Sequence, residues 1–234
     1  MVEATNLGEA VLQRRFDPGR EVLKWVAVVT MTVDHIGAVL YPDLEILRII
    51  GRLAFPIYCY LLLLGVESTR SVKNYLVRLL VFAFISQVPY YVAHGYEPFE
   101  SLDIYFTLFF GALSLLNPLL LLLSLVASFF LNFDYGPYGM GLIIATQLLK
   151  DNQKYGVLMI VVLNVLFYFA SARQVYSLFA LPLILAHRNG LLKIERKASG
   201  GASYPAWRKY FFYSYYPVHL TALVLVKMYL TGSW

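Results

Sequence analysis

The sequence predicts an all-α fold, a polytopic transmembrane helix bundle of about nine spans, with the N-terminus cytoplasmic and the C-terminus outside. Three observations carry this. Of 234 residues, 59% are hydrophobic and 14% charged, where a soluble domain has roughly 25% charged residues. Apolar segments recur at 22–41, 46–66, 74–93, 103–116, 118–132, 138–150, 155–171, 174–187 and 209–230. The basic residues gather in alternate loops between them.

Residues 1–21 read as a cytoplasmic N-terminal segment and 22–234 as a single transmembrane domain. The first stretch is polar and mixed in charge, without the short apolar core of a cleavable signal peptide, so the first apolar segment is expected to stay as a span. Arg14, Arg15, Arg20 and Lys24 precede it. Arg70, Lys73 and Arg78 follow the second span, Lys150 and Lys154 the sixth, and Arg188, Lys193, Arg196, Lys197, Arg208 and Lys209 the eighth. The intervening loops hold Asp43, Glu45, Glu97, Glu100 and Asp134, with only Arg173 against them. The positive-inside rule puts the basic side in the cytoplasm. The middle is the soft part of the count, because 103–132 also reads as a bent hairpin around Asn117-Pro118 or a partly re-entrant pair. Residues 188–208 form a basic cytoplasmic loop with a surface helix expected at 191–196.

Cys59 is the single cysteine. It has no internal disulfide partner and reads as a small buried hydrophobe. The net charge of +5 is a topology signal here and does not point to nucleic acid. No metal-ligand spacing, Walker loop or G-x-S-x-G occurs, so no metal is expected.

Ionisable groups inside spans are costly and usually face a cavity or a partner. Asp34-His35 in the first span is such a pair. His35 lies about 18 Å along a helix from Leu23, near or just beyond the midplane. Thr32 shares its polar wedge, and Gly37 leaves room for a neighbouring chain. His35 reads as a general base with Asp34 to orient it or hold its charge, or the two form a buried structural pair tied to Arg52. Arg48 and Arg52 share a helix face. Arg48 reads as a snorkelling residue, and Arg52 as the partner of Asp34 or an anion-binding group. In the last span His219 follows Tyr215 and Tyr216 on one face, and Pro217 frees the carbonyl of Tyr213. Ser86 and Gln87 in the third span are expected to line the same cavity, with Asp103 and Thr107 as weaker candidates.

The segments K-W-V-A-V-V-T-M-T-V-D-H-I-G, R-I-I-G-R-L-A-F-P-I-Y, T-R-S-V-K-N-Y-L-V-R-L-L and K-Y-F-F-Y-S-Y-Y-P-V-H-L together resemble the TraX family, named for the F-pilin acetylase of conjugation systems. The resemblance runs from about Leu23 to Leu230 and is strongest at the two ends. It implies a bacterial inner-membrane acetyltransferase that takes acetyl groups from cytoplasmic acetyl-CoA. His35, Asp34, Arg52 and His219 would form the catalytic centre, and Thr32, Ser86, Gln87, Tyr215 and Tyr216 the substrate cavity. Arg70, Lys73, Arg78 and Lys209 supply cations for the phosphates of the co-substrate. The expected acceptor is an amine or hydroxyl of a pilin, surface glycan or lipid headgroup, reached from outside or from the membrane.

Two other classes remain open at this stage. A proton-coupled transporter or flippase would use the same Asp/His/Arg cluster as a relay, although no paired half-helices or repeat symmetry appear. A membrane scaffold would use the buried polar groups to hold helices together.

Overall fold

The computed structural model describes residues 17–98, 100–192 and 206–232. Among them the chain is helical, with one isolated bridge, Leu102 to Phe133. Arg14, Arg15, Lys193, Arg196, Lys197 and most of the surface helix expected at 191–196 lie outside the described residues, as does the Lys209 side chain.

The described residues form ten α-helices, in order: α1 Pro18–Val39, α2 Glu45–Gly51, α3 Ala54–Ser68, α4 Val72–His94, α5 Ile104–Ser114, α6 Pro118–Phe130, α7 Gly136–Asp151, α8 Gln153–Phe167, α9 Leu181–Arg188 and α10 Ala206–Thr231. A 3-10 segment, Ala172–Ala180, leads into α9. Side chains start several of them by accepting orphan backbone N–H groups. Asp17 takes the N–H of Arg20 ahead of Pro18, Ser71 that of Asn74, Asp103 that of Tyr105, Asn117 that of Leu120 and Asn152 that of Lys154. The second apolar segment breaks at Arg52-Leu53 into α2 and α3, one turn before Pro56, which has no N–H to offer the Arg52 carbonyl.

Among the described residues, three units are long and apolar enough to cross a membrane: α1 with 22 residues, α2 and α3 together with 24, and α4 with 23. The middle segments correspond to shorter helices. The apolar α5, α6 and α8 have 11, 13 and 15 residues, below the roughly 17 that span a hydrocarbon core upright. The softness of the middle count thus has a structural cause. Large apolar side chains stand exposed, among them Phe84 and Val88 on α4, Phe129 and Phe130 on α6 and Leu166 on α8. A lipid surround suits such a surface better than water does.

α1 packs against α2, α3, α4, α9 and α10, while α7 pairs with α8 and α10 with α4. Phe55, Ile57 and Leu63 of α3, Leu23 of α1, and Met140, Leu142 and Ile143 of α7 are fully buried between them. Cys59 is buried as expected. Polar contacts concentrate at two ends. One end joins Asp17 to His187, Arg20 to Ser68, Glu67 to Lys150 and Arg188 to Gln153; it is called the basic end below. At the other, the C-terminal parts of α1 and α4 meet α2, the start of α5 and Gln174.

Candidate active site

Asp34 and His35 sit one turn before the end of α1 and are both 8% exposed. His35 is about 26 Å along the helix from Pro18, toward the far end of α1. Neighbouring residues on a helix do not face each other, and these two point to different partners.

The Asp34 carboxylate is held by two arginines. Arg48 Nη1 donates to Oδ2 at 2.7 Å and to the Asp34 backbone oxygen at 3.1 Å. Arg52 Nη2 donates to Oδ1 at 2.9 Å, and its Nε to the Arg48 carbonyl at 3.2 Å. The expected Asp34–Arg52 pair is present. Arg48, read from sequence as a snorkelling residue, is a full partner because the break after Gly51 lays α2 across the end of α1. Two glycines permit that approach. A Cβ on Gly37 would stand 2.8 Å from Leu47 Cβ, and one on Gly51 would overlap the Asp34 carboxylate. The Tyr135 ring stacks on Phe55 at 3.8 Å and faces the Arg52 guanidinium at 5.8 Å. Tyr135 is the one non-glycine residue with positive φ, at 65°, among those described.

His35 is oriented by His219 rather than by Asp34. His219 Nδ1 lies 2.8 Å from the Tyr215 carbonyl, and a carbonyl only accepts, so that nitrogen carries a proton. In neutral His219, Nε2 is therefore the acceptor, and it lies 2.7 Å from His35 Nδ1, which donates. Neutral His35 is left with a bare Nε2 that makes no hydrogen bond among the described residues. Tyr215 stacks on His219 with centroids 5.1 Å apart. Its hydroxyl meets Thr32 Oγ1 at 2.8 Å while Thr32 donates to the Val28 carbonyl. Tyr216 lies beside both imidazoles, 5.7 Å from His35 and 5.6 Å from His219. Its hydroxyl is buried and has no hydrogen-bond partner among the described residues.

Ser86 and Gln87 are buried but otherwise engaged. Ser86 donates to the Phe82 carbonyl at 2.6 Å. The Gln87 amide clamps the α4–α5 connection, donating to the Ser101 carbonyl at 2.6 Å and accepting from the Asp103 N–H at 3.0 Å. Thr107 donates to the Asp134 carbonyl. The carbonyl freed by Pro217 is taken by the Tyr105 hydroxyl, at 2.8 Å from Tyr213 O.

Arg70 and Lys73 are exposed at the start of α4. Arg78 is half-buried over the rings of Tyr75 and Tyr213, at 5.7 and 5.9 Å. The Nε atoms of Arg78 and Arg20 are buried without hydrogen-bond partners. From Arg78 a line of tyrosines leads toward the histidines: Tyr213 to Tyr105 at 6.3 Å, Tyr105 to Tyr216 at 5.6 Å, then His219. Two more residues join the site without a sequence signal strong enough to mark them. Gln174 accepts from Arg52 Nη1 at 3.5 Å and lines a cavity of ≈ 140 Å³ with Tyr135, Tyr138, Phe167, Ala170 and Ser171. His94 stands edge-on to His35 at 6.0 Å; its place at the end of an apolar segment makes it look like an interfacial residue.

The family model described as TraX protein matches residues 19–227 of this chain. A probable fimbrial assembly protein, FimC of serogroup H1, from Dichelobacter nodosus is 26% identical over 94% of this chain and 100% of its own length. An uncharacterized protein of Rickettsia prowazekii (strain Madrid E) is 35% identical over 39% of this chain, a match that spans 34% of that protein. No solved structure matches.

Proposed function

The chain belongs to the TraX family, and on that premise we propose that it is a multi-pass acetyltransferase of the bacterial inner membrane. It moves an acetyl group from cytoplasmic acetyl-CoA to an amine or hydroxyl of an acceptor outside or within the membrane. The similarity to a fimbrial assembly protein favours a pilus subunit as that acceptor over a surface glycan or lipid headgroup. The basic end faces the cytoplasm in this reading, and the end holding His35 faces outward.

The observation that carries the chemistry is the bare Nε2 of His35, fixed by His219, with the Tyr216 ring 5.7 Å from that imidazole and its buried hydroxyl unpartnered among the described residues. A neutral, buried imidazole with a free ring nitrogen is suited to act as a general base. His35 Nε2 takes the proton of the acceptor as its N or O attacks the thioester carbon. The leaving sulfur then receives that proton from His35. Tyr216 donates to the oxyanion that forms between these steps. This role suits Tyr216 better than Arg52, whose Nε and Nη2 are committed to Arg48 and Asp34. Asp34 accordingly acts on the frame of the site, holding α2 to α1.

The co-substrate carries several phosphates. Arg20 and Arg78, each with an unpartnered buried Nε, fit such a group together with the exposed Arg70 and Lys73. In this reading its acetyl-bearing arm runs along the tyrosine line from Arg78 to His219. The test is saturable acetyl-CoA binding and slow thioester hydrolysis by the detergent-purified chain, with His35→Ala beside it. Binding by both and hydrolysis by wild type alone is expected. Equal hydrolysis by folded His35→Ala removes the base role, and absence of binding by wild type removes the transferase reading.

A further inference from the structure

His94 is a third histidine at the site, and the chemistry above leaves it idle. It is the last residue of α4. Its ring stands edge-on to His35 at 6.0 Å and stacks on Tyr96 at 5.6 Å. Its Nδ1 lies 2.9 Å from the Tyr90 carbonyl, so that nitrogen is protonated and neutral His94, like His35, keeps a bare Nε2. The two rings differ in access. His35 is buried, whereas His94 is half-buried and leads directly into exposed Gly95, Tyr96 and Glu97. His94 therefore stands between the buried base and the surface. The titratable and charged groups around it are Asp34 and His35 of α1, Arg48 of α2, Lys227 of α10, and its neighbours Tyr90 and Tyr96.

We propose that His94 carries away the proton an amine acceptor must lose before it can attack, delivering it to the face where α4 ends. This rests on the transferase reading. An amine arrives near neutral pH as R–NH3+. One proton passes to His94 Nε2 and from there to water at the exposed 95–97 turn. The free amine then forms the C–N bond to the acetyl carbon while the C–S bond breaks. The second proton goes to His35 Nε2 and on to the leaving sulfur. The sum is an ammonium and a thioester converted to an amide, a thiol and one released proton, and that last proton is the one His94 serves. A hydroxyl acceptor releases none and does not need this exit.

The test measures thiol release from acetyl-CoA by the full-length chain in detergent, with alanine amide as the amine probe, at low and high imidazole concentration. His94→Ala and His94→Gln are expected to slow amine-dependent release by roughly tenfold or more in weak buffer, the scale of a lost proton-transfer group. Acetyl-CoA binding is expected to persist, and imidazole to restore the His94→Ala rate. A variant at the wild-type rate overturns the role, as does a slowed rate that imidazole leaves unchanged, since a packing defect has no reason to respond to a soluble base. No thiol release by wild type overturns the transferase reading, and this inference with it.

Discussion

Replacing Asp34 with alanine is expected to be among the most destabilising single changes in the chain. Its carboxylate binds Arg48 at 2.7 Å and Arg52 at 2.9 Å, with side-chain exposures of 11% for Asp34, 24% for Arg48 and 13% for Arg52. Without it, two guanidinium groups face one another with no ion-pair partner, and the Asp134 carboxyl acts on them only from a greater distance. Removing one partner of a buried pair costs about 3–5 kcal/mol, because the remaining charge is left uncompensated. At about 2–4 °C per kcal/mol for a chain of this size, Tm should fall on the order of 10 °C. Arg48→Met is the informative control, since it leaves Asp34 bound to Arg52 and removes one guanidinium. It should cost less than half as much. Thermal unfolding in detergent, followed by fluorescence and by the size-exclusion profile, reads both. A Tm for Asp34→Ala within about 2 °C of wild type, a shift worth under about 1 kcal/mol, would refute the reasoning. So would Arg48→Met costing as much as Asp34→Ala, because the cost would then follow packing rather than unpaired charge.

Gly51→Ala places a methyl group into the Asp34 carboxylate and should lower Tm through the same pair, an effect that shrinks in an Asp34→Ala background. Tyr216→Phe should lower kcat about a hundredfold with little change in KM, as loss of an oxyanion donor does. His219→Ala should lower activity by about a hundredfold, on the scale of a misplaced general base. His219→Gln should recover part of that, because its amide oxygen can still accept from His35 Nδ1, and the pH–rate profile separates this from unfolding. Burial pushes the Asp134 carboxyl up to about 6, against the opposing pull of Arg52. The folded state therefore binds that proton more tightly than the unfolded one. Its contribution is present below about pH 4 and lost as pH rises through about 6. Asp134→Asn should flatten that part of a Tm–pH curve.

The outer parts of the fold were legible because they carry two independent signals. Apolar length and alternating charge both mark the segments that became α1, α2 with α3, and α4. The middle lacks the first of these. Segments such as 103–116 and 118–132 are already short for a span and broken at Asn117-Pro118, and α5 and α6 are shorter still, at 11 and 13 residues. At the site, Asp34, His35, Arg52 and His219 stood out because each is polar in an apolar run. Their pairing did not. Sequence adjacency suggested that Asp34 serves His35, but the helix turns adjacent side chains apart and His219, 184 positions away, takes that place. Arg48 was misjudged because its environment depends on the break at Arg52-Leu53. His94 and Gln174 sit at segment ends, where polar residues are ordinary, and only the fold brings them to the cluster. Ser86 and Gln87 were expected to line the cavity, but their polar atoms are taken by backbone groups.

The most direct measurement is transfer of labelled acetyl from acetyl-CoA, supplied at the cytoplasmic face of membrane vesicles, to a pilin or other acceptor at the opposite face. Vesicles bearing wild type are compared with vesicles bearing His35→Ala at equal folded amounts. Label on the acceptor with wild type, and its loss with His35→Ala, is the expected result. Equal labelling by both, or none by wild type with every acceptor class supplied, contradicts a transferase built on His35.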